Sequence, residues 1–214
     1  MCGMGEGALD VMARVAALAV AMIVPGMALA DGCLTASDLQ QGIRAEFRDG
    51  SLTDYRGGDA GLVAVFERPD PSQSSGVAFV SRLGLYDLEA AAIDGGETIP
   101  DQRLLMHYSV DLDQLPAPRP GEFWVGRTTT TYADGKSDDA QAVYVFGNAR
   151  EVELGGCSYH AVPVKASFIW SDGWMMQEFL YLDALGIGII VASQYSSETE
   201  PAKFVLAGLS RITP

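Results

Sequence analysis

Basic residues are scarce in this chain. Its 214 residues include 14 Lys and Arg against 28 Asp and Glu, which gives a formal net charge of −14 at pH 7. Lysine occurs only at positions 136, 165 and 203, and there is no basic run. Duplex nucleic acid and anionic membrane surfaces are bound through clustered cationic groups. We therefore expect neither as a partner, and we interpret the acidic balance as a feature that favours solubility.

Cysteine and histidine are also rare, with three and two residues. A zinc site needs about four ligands, and redox pairs are usually spaced Cys-x-x-Cys. Cys33 and Cys157 lie 124 positions apart. In an oxidising compartment we expect them to form one structural disulfide. A redox pair, a zinc site and acylation of Cys33 in a lipoprotein are the alternatives.

Motifs for catalysis and cofactor binding are missing. The chain has no Gly-x-Ser-x-Gly elbow, the turn that presents a nucleophilic serine. His107 and Ser109 share a strand face, but strand rise separates them by about 7 Å, too far for a direct hydrogen bond. We predict no catalytic residue and no cofactor. An unrecognised hydrolase around His107 or His160 is the alternative.

Carboxylates are concentrated in one loop. Asp134, Asp138 and Asp139 fall within six residues and are the best candidates for calcium ligands. The segment lacks the ligand order of an EF-hand and its terminal glutamate. We therefore predict a solvated hairpin tip without a metal, and calcium at these three residues is the alternative.

Residues 1–30 have the pattern of a secretory signal. Arg14 precedes the apolar run Val15–Val24 and the small-residue triplet Ala28–Ala30, so cleavage is expected before Asp31. The run is half the length of a membrane span, which needs about 20 mainly apolar residues. Translation from Met12 would remove two acidic residues from the leader. We predict an exported protein without a membrane span after cleavage, periplasmic in a Gram-negative cell and extracellular otherwise.

Residues 31–214 are expected to form one β-rich domain. Apolar and polar residues alternate with the period of a half-buried strand, and one short helical turn is predicted over Thr35–Gln41, with Ser37 as N-cap and Gly42 as stop. The predicted fold class is all-β, an antiparallel meander of about ten strands that forms a curved half-barrel or a sandwich. The predicted strands are Ile43–Phe47, Leu62–Glu67, Val77–Leu83, Leu104–Leu112, Phe123–Tyr132, Gln141–Phe146, Tyr159–Trp170, Trp174–Leu182, Ile187–Gln194 and Lys203–Ile212.

An aromatic residue two positions before an Asp-Gly pair recurs at three strand ends, before Asp49-Gly50, Asp134-Gly135 and Asp172-Gly173. Asp-Gly supplies the positive φ that a tight hairpin requires. Each pair therefore predicts a reversal of the chain.

Aromatic and methionine residues crowd the last of these hairpins. Trp174–Leu182 is apolar on both faces, a pattern typical of a strand that is buried on both sides or that covers a ligand cavity. We predict a non-enzymatic binding or envelope-accessory protein whose partner is an envelope protein or a hydrophobic small molecule. A carrier of lipid or another small hydrophobic ligand is the alternative. The predicted ligand or partner surface consists of Trp170, Trp174, Met176, Phe179 and Tyr181.

Three segments of this region carry a resemblance. They are Gly-Gly-Cys-Ser-Tyr at 155–159, Asp-Gly at 172–173 and Tyr-Leu-Asp-Ala-Leu-Gly-Ile-Gly at 181–188. Residues 155–194 resemble the C-terminal element of exported bacterial β-meander families of unknown function, some of which resemble the half-barrel of periplasmic lipoprotein carriers. The resemblance implies an exported protein with a curved antiparallel sheet, and it assigns no functional residues.

Overall fold

Antiparallel strands make up most of the described chain, which in this computed structural model covers residues 32–58 and 61–213. The predicted signal peptide and its cleavage site lie outside the described residues. Short 3-10 turns occur at Ala36–Gln40 and Leu112–Gln114. The strands are β1 (Ile43–Phe47), β2 (Leu52–Gly57), β3 (Leu62–Arg68), β4 (Gly76–Arg82), β5 (Tyr86–Asp94), β6 (Glu97–Tyr108), β7 (Phe123–Tyr132), β8 (Ser137–Phe146), β9 (Arg150–Leu154), β10 (Cys157–Trp170), β11 (Gly173–Leu182), β12 (Ile187–Tyr195), β13 (Ala202–Lys203) and β14 (Leu206–Arg211).

All fourteen strands of the described residues belong to one sheet. Its order is β13-β12-β11-β10-β8-β7-β6-β5-β4-β3-β2-β1-β14, with β9 paired to β10 beside this path. The predicted all-β antiparallel meander is confirmed. The strands form one continuous hydrogen-bonded sheet.

The C-terminal segment joins the two ends of this open sheet. β13 pairs with β12 at one end, and β14 pairs with β1 at the other. Between them, the Phe204 N–H donates to the Val191 carbonyl at 2.9 Å, and the Arg48 N–H donates to the Val205 carbonyl at 2.9 Å. Neighbouring residues of one segment therefore hold the two ends near each other, although the sheet is not closed.

The predicted hairpins lie where the sequence indicated. Gly50 and Gly135 sit between paired strands with φ of +89° and +81°. Asp172-Gly173 also marks a reversal, between β10 and β11. There Gly173 is the first residue of β11 and is not among the positive-φ glycines of the described chain, so this turn does not use the predicted geometry.

The described chain contains two groups of buried apolar side chains, which take alternate positions on β10 and β11 and therefore lie on opposite faces of these strands. One group is packed with aromatic rings, and Tyr86 contacts Tyr108, Trp124 and Tyr144 there with ring centroids 4.5–6.2 Å apart. The other group lies between β1–β3 and β10–β12. The turn between β4 and β5 reaches across the interior, where the Gly188 N–H donates to the Leu83 carbonyl at 2.8 Å.

The N-terminal segment of the described chain is attached to β10 by a disulfide and a hydrogen bond. Cys33 and Cys157 are paired, with Cα atoms 5.6 Å apart, within the range that a disulfide spans. The Leu34 N–H also donates to the buried Tyr159 hydroxyl at 3.0 Å. The 3-10 turn that follows is capped by Thr35 rather than by the predicted Ser37, because the Thr35 N–H donates to the Asp38 carboxylate at 2.8 Å.

Candidate functional site

The five residues predicted to form one surface are distributed over different places. On β11, side chains alternate between the two faces of the sheet. Phe179 faces the interior, whereas Trp174 is 38% exposed on the opposite face, on which Met176 also lies. Tyr181 is buried in the aromatic-packed interior, and Trp170 is half-buried at the end of β10. The structure does not bring these five side chains together.

An interior cavity lies beside Phe179 and has a volume of about 570 Å³. This volume falls within the range of roughly 300–1,000 Å³ that is usual for small-molecule sites. Most of its wall is apolar, and strands from both ends of the sheet contribute to it. The aliphatic and aromatic side chains that line it include Phe47, Leu52, Val65, Val77, Phe79, Ala90, Leu104, Met106, Met175, Phe179, Ile190 and Phe204.

The cavity has an exposed end and an inner end. Asp49, Pro69 and Tyr195 are exposed lining residues, and they mark its mouth at the ends of β1, β3 and β12. Tyr55, which is 2% exposed, and Gly84 lie at the inner end. The Tyr55 hydroxyl hydrogen-bonds to the backbone at Ile190, so it spans the interior from β2 to β12. The pocket therefore runs from exposed strand ends to the buried side chain of Tyr55.

Two carboxyl groups face this cavity, Glu67 on β3 and Asp87 on β5. Burial raises the pKa of Glu67 to about 7. Burial, and then the charge of Glu67, raise the pKa of Asp87 to about 7. Carboxyls in a pocket whose pKa lies this far above the ordinary value are characteristic of functional sites. Near neutral pH each can accept a hydrogen bond or, when protonated, donate one.

The surroundings of the two carboxyls differ. Asp87 is hydrogen-bonded by the Ser81 hydroxyl, and Ser81 is fully buried. Glu67 has no hydrogen-bond partner for its carboxyl group within the part of the chain that the structure describes. A carboxyl that lines a cavity without a protein donor is open to a ligand.

Arg68 is the one cationic side chain among the described residues that line the cavity. Its Nη2 donates to the Asp54 carboxylate at 2.7 Å, and Asp54 also accepts from Arg44. The buried Nε of Arg68 has no hydrogen-bond partner. Arg68 is thus bonded to Asp54, and among the described residues no cationic side chain forms an ion pair with Glu67 or Asp87.

A groove of similar volume, about 560 Å³, lies near the outer side of β3 and β4. The exposed loop at 71–74 forms much of its wall, and no carboxyl lines it. The interior cavity is the better candidate site because it combines apolar depth with ionisable groups.

The candidate calcium ligands each have a protein partner. Asp134 accepts from Lys136 Nζ at 2.6 Å, Asp138 accepts from the Tyr132 hydroxyl at 2.9 Å, and Asp139 accepts from the Thr129 hydroxyl at 2.6 Å. No group of three metal-ligating side chains occurs in the described ranges. The structure therefore does not bring these three carboxylates together.

The histidines are not paired with a nucleophile. His160 Nδ1 contacts the Asp183 carboxylate, and both side chains are about half exposed. The Ser109 hydroxyl accepts from the Arg127 N–H at 3.0 Å rather than contacting His107. Over residues 32–58 and 61–213, neither histidine is hydrogen-bonded to a serine, threonine or cysteine side chain.

Sequence reasoning missed the carboxyls that face the cavity. Glu67 was placed at the end of a predicted strand without a role, and the strand that carries Asp87 was not predicted. One signal was available, since Glu67 continues the inward alternation of Val63 and Val65. A charged residue in register with buried positions indicates a carboxyl that faces inward.

Among the described residues, no helix has the length and apolar character that crossing a membrane requires.

No family model matches this sequence, and no curated protein matches it. Among solved structures, the chain is similar to the hypothetical lipoprotein YmcC from Escherichia coli (K12), with 11% sequence identity and a TM-score of 0.42. The match covers 85% of this chain and 88% of that chain. No family is assigned, and no property of that protein is transferred.

Proposed function

We propose that this is an exported binding protein, not an enzyme, that holds a small molecule with an apolar body in its interior cavity. The observation that carries the proposal is the cavity of about 570 Å³ beside Phe179, walled by apolar side chains from both ends of one curved sheet. Protein interiors are normally packed with few voids larger than a water molecule. An apolar pocket of this volume that contains a few polar groups has the usual character of a small-molecule site.

Two further features support a role in ligand binding rather than in catalysis. The mouth at Asp49, Pro69 and Tyr195 gives a ligand access to the interior. Hydrolysis through a serine or cysteine needs a base within hydrogen-bond reach of the nucleophile, and neither histidine of the described chain is so placed. Export rests on the sequence pattern of residues 1–30.

The test is a titration with N-phenyl-1-naphthylamine, a neutral apolar dye whose fluorescence rises in an apolar environment. The wild type should bind it saturably with one dye per chain. Ala90→Trp places a large side chain into the cavity, because Ala90 lines it and is 7% exposed. This variant should bind about tenfold more weakly or not at all.

The matched control is Ala64→Trp, since Ala64 is exposed on β3 and does not line the interior cavity. It should leave the interior site unchanged. Absence of saturable binding to the wild type, or equal binding by Ala90→Trp, would contradict the proposal.

A second candidate function, an accessory module that docks on a protein partner, is favoured by the outer face of β7, β8, β10 and β11. Apolar side chains are exposed there, with Phe123 at 71%, Val145 at 48%, Ile169 at 46% and Trp174 at 38%. Exposed apolar patches often mark interaction sites. Loss of a cross-linked partner on Trp174→Asp, with dye binding retained, would favour this function.

A further inference from the structure

The two carboxyls that face the cavity have no ion-pair partner among the described residues. Glu67 and Asp87 face the cavity, and the lining cation Arg68 is already bonded to Asp54 at 2.7 Å. At the mouth, Asp49 adds a further carboxylate. A cation in this cavity can therefore pair with Glu67 or Asp87 in its ionised form.

We propose that the ligand is a cationic amphiphile, whose ammonium group faces the wall that carries Glu67 and Asp87 and whose apolar part packs against Met106, Phe179 and Ile190. This inference rests on the proposed function and specifies its ligand class. It stands on the placement of two carboxyls in an apolar cavity, one of them without a protein donor.

The energetics favour a cation over the alternatives. Coulomb attraction between opposite charges is stronger in a site of low effective dielectric than in water, and aromatic side chains such as Phe79 and Phe179 in the same wall favour cations further. An anionic head would be repelled by the same carboxylates. A neutral head group would gain neither contribution. A cationic head group should therefore bind more tightly than a neutral or an anionic one.

Binding of a cation should also release protons. A nearby positive charge favours the ionised form of a carboxyl, and burial keeps Glu67 and Asp87 partly protonated near neutral pH. The other titratable groups that face the cavity are Asp49, Tyr55, Arg68 and Tyr195, and Tyr108 approaches the backbone of Asp87. The pKa of Tyr55 and Tyr108 is raised, mainly by burial, so these phenols stay protonated. Glu67 and Asp87 are therefore the groups whose protonation should change between pH 5 and pH 8.

The experiment uses isothermal titration calorimetry with three probes that share an octyl chain and differ in head group. They are octyltrimethylammonium, 1-octanol and octyl sulfate, each used below its micelle concentration. The ammonium probe should bind at least about tenfold more tightly than the other two at pH 8. This preference should shrink at pH 5. Titration in buffers of different ionisation enthalpy should show protons released on binding of the ammonium probe.

Two isosteric variants locate the effect. Glu67→Gln and Asp87→Asn should each reduce the affinity for the ammonium probe about tenfold and leave the affinity for 1-octanol unchanged. The control is Glu153→Gln, an exposed carboxyl on β9 outside the cavity, which should alter neither affinity. If a variant fails to fold, the comparison of the three probes on the wild-type protein still tests the proposal.

The outcomes separate the two proposals. If none of the three probes binds, the cavity is not a binding site, and both proposals fail. If 1-octanol or octyl sulfate binds as tightly as the ammonium probe, the cation inference fails while the proposed function stands. If the preference persists in both Glu67→Gln and Asp87→Asn, the carboxyls do not select the ligand, and the inference fails.

Discussion

The charge of Glu67 on β3 contributes to raising the pKa of Asp87 on β5 to about 7, although the whole of β4 lies between their strands. This interaction is possible because both side chains leave the sheet on its inner side and face one cavity. The protonation of the two carboxyls should therefore affect both the stability of the protein and the charge of its cavity.

Stability should fall as the pH rises from about 4 to about 7. Glu67 and Asp87 have a higher pKa in the folded than in the unfolded chain, so the folded state binds more protons in this window and loses that advantage as they dissociate. Each pKa unit corresponds to about 1.4 kcal/mol. Urea unfolding at pH 5 and pH 8 should show a lower free energy of unfolding at pH 8, and Glu67→Gln should reduce the difference by at least about 1 kcal/mol.

The control for this effect is Glu153→Gln, which removes an exposed carboxyl and should retain the wild-type difference. Lowered pKa values, as at Asp38 and Asp70, affect stability only below about pH 4 and do not interfere. An unchanged pH difference in Glu67→Gln would show that this carboxyl is not held in a poorly solvated site.

The contact between the β4–β5 turn and β12 should be sensitive to one methyl group. A Cβ on Gly84, where φ is +61°, would lie 2.8 Å from the Gly188 carbonyl oxygen. Gly95 has φ of +58° and open space around it. Gly95→Ala should cost about 1 kcal/mol of stability from its backbone conformation alone, and Gly84→Ala should cost about 1–3 kcal/mol more. Equal losses in urea unfolding would show that the turn does not pack tightly on β12.

The Cys33–Cys157 pair should stabilise the fold by restricting the unfolded chain. A disulfide across a separation of 124 residues is worth something approaching 5 kcal/mol in the chain-entropy model, and measured values are commonly about 2–4 kcal/mol. The double variant Cys33→Ser/Cys157→Ser should lose that amount in urea unfolding. Dithiothreitol should cause the same loss in the wild type and none in the variant. Two free thiols in the unreduced protein would contradict the pairing.

Much of the fold was accessible from the sequence because alternation marks strands with one buried face. Each of the ten predicted strands overlaps an observed strand. β5 was missed because register shifts at Val80/Ser81 and Ala91/Ile93 interrupt its pairing with both neighbours. A bulge breaks the period of two that a strand prediction relies on. β2 was missed because its buried positions are Thr53 and Tyr55, which do not stand out as apolar.

Less of the candidate site than of the fold could be predicted from the sequence. The pattern on Trp174–Leu182 indicated either a core strand or a cavity wall, and both descriptions apply, since Phe179 lines the cavity and Tyr181 lies in the packed core. The sequence could not show which strands meet across the interior. Met106 on β6 and Met175 on β11 line one cavity only because the sheet curves, and curvature depends on twist and bulges rather than on local pattern.

Methionine methyl NMR tests the central claim most directly. After residue 31 the chain has three methionines, Met106 and Met175 in the cavity wall and Met176 on the opposite face of β11. With 13C-methyl methionine, titration with octyltrimethylammonium should shift the Met106 and Met175 signals and give cross-relaxation to the octyl chain, while Met176 stays unchanged. Shifts confined to Met176, or no shifts at saturating probe, would contradict binding in the interior cavity.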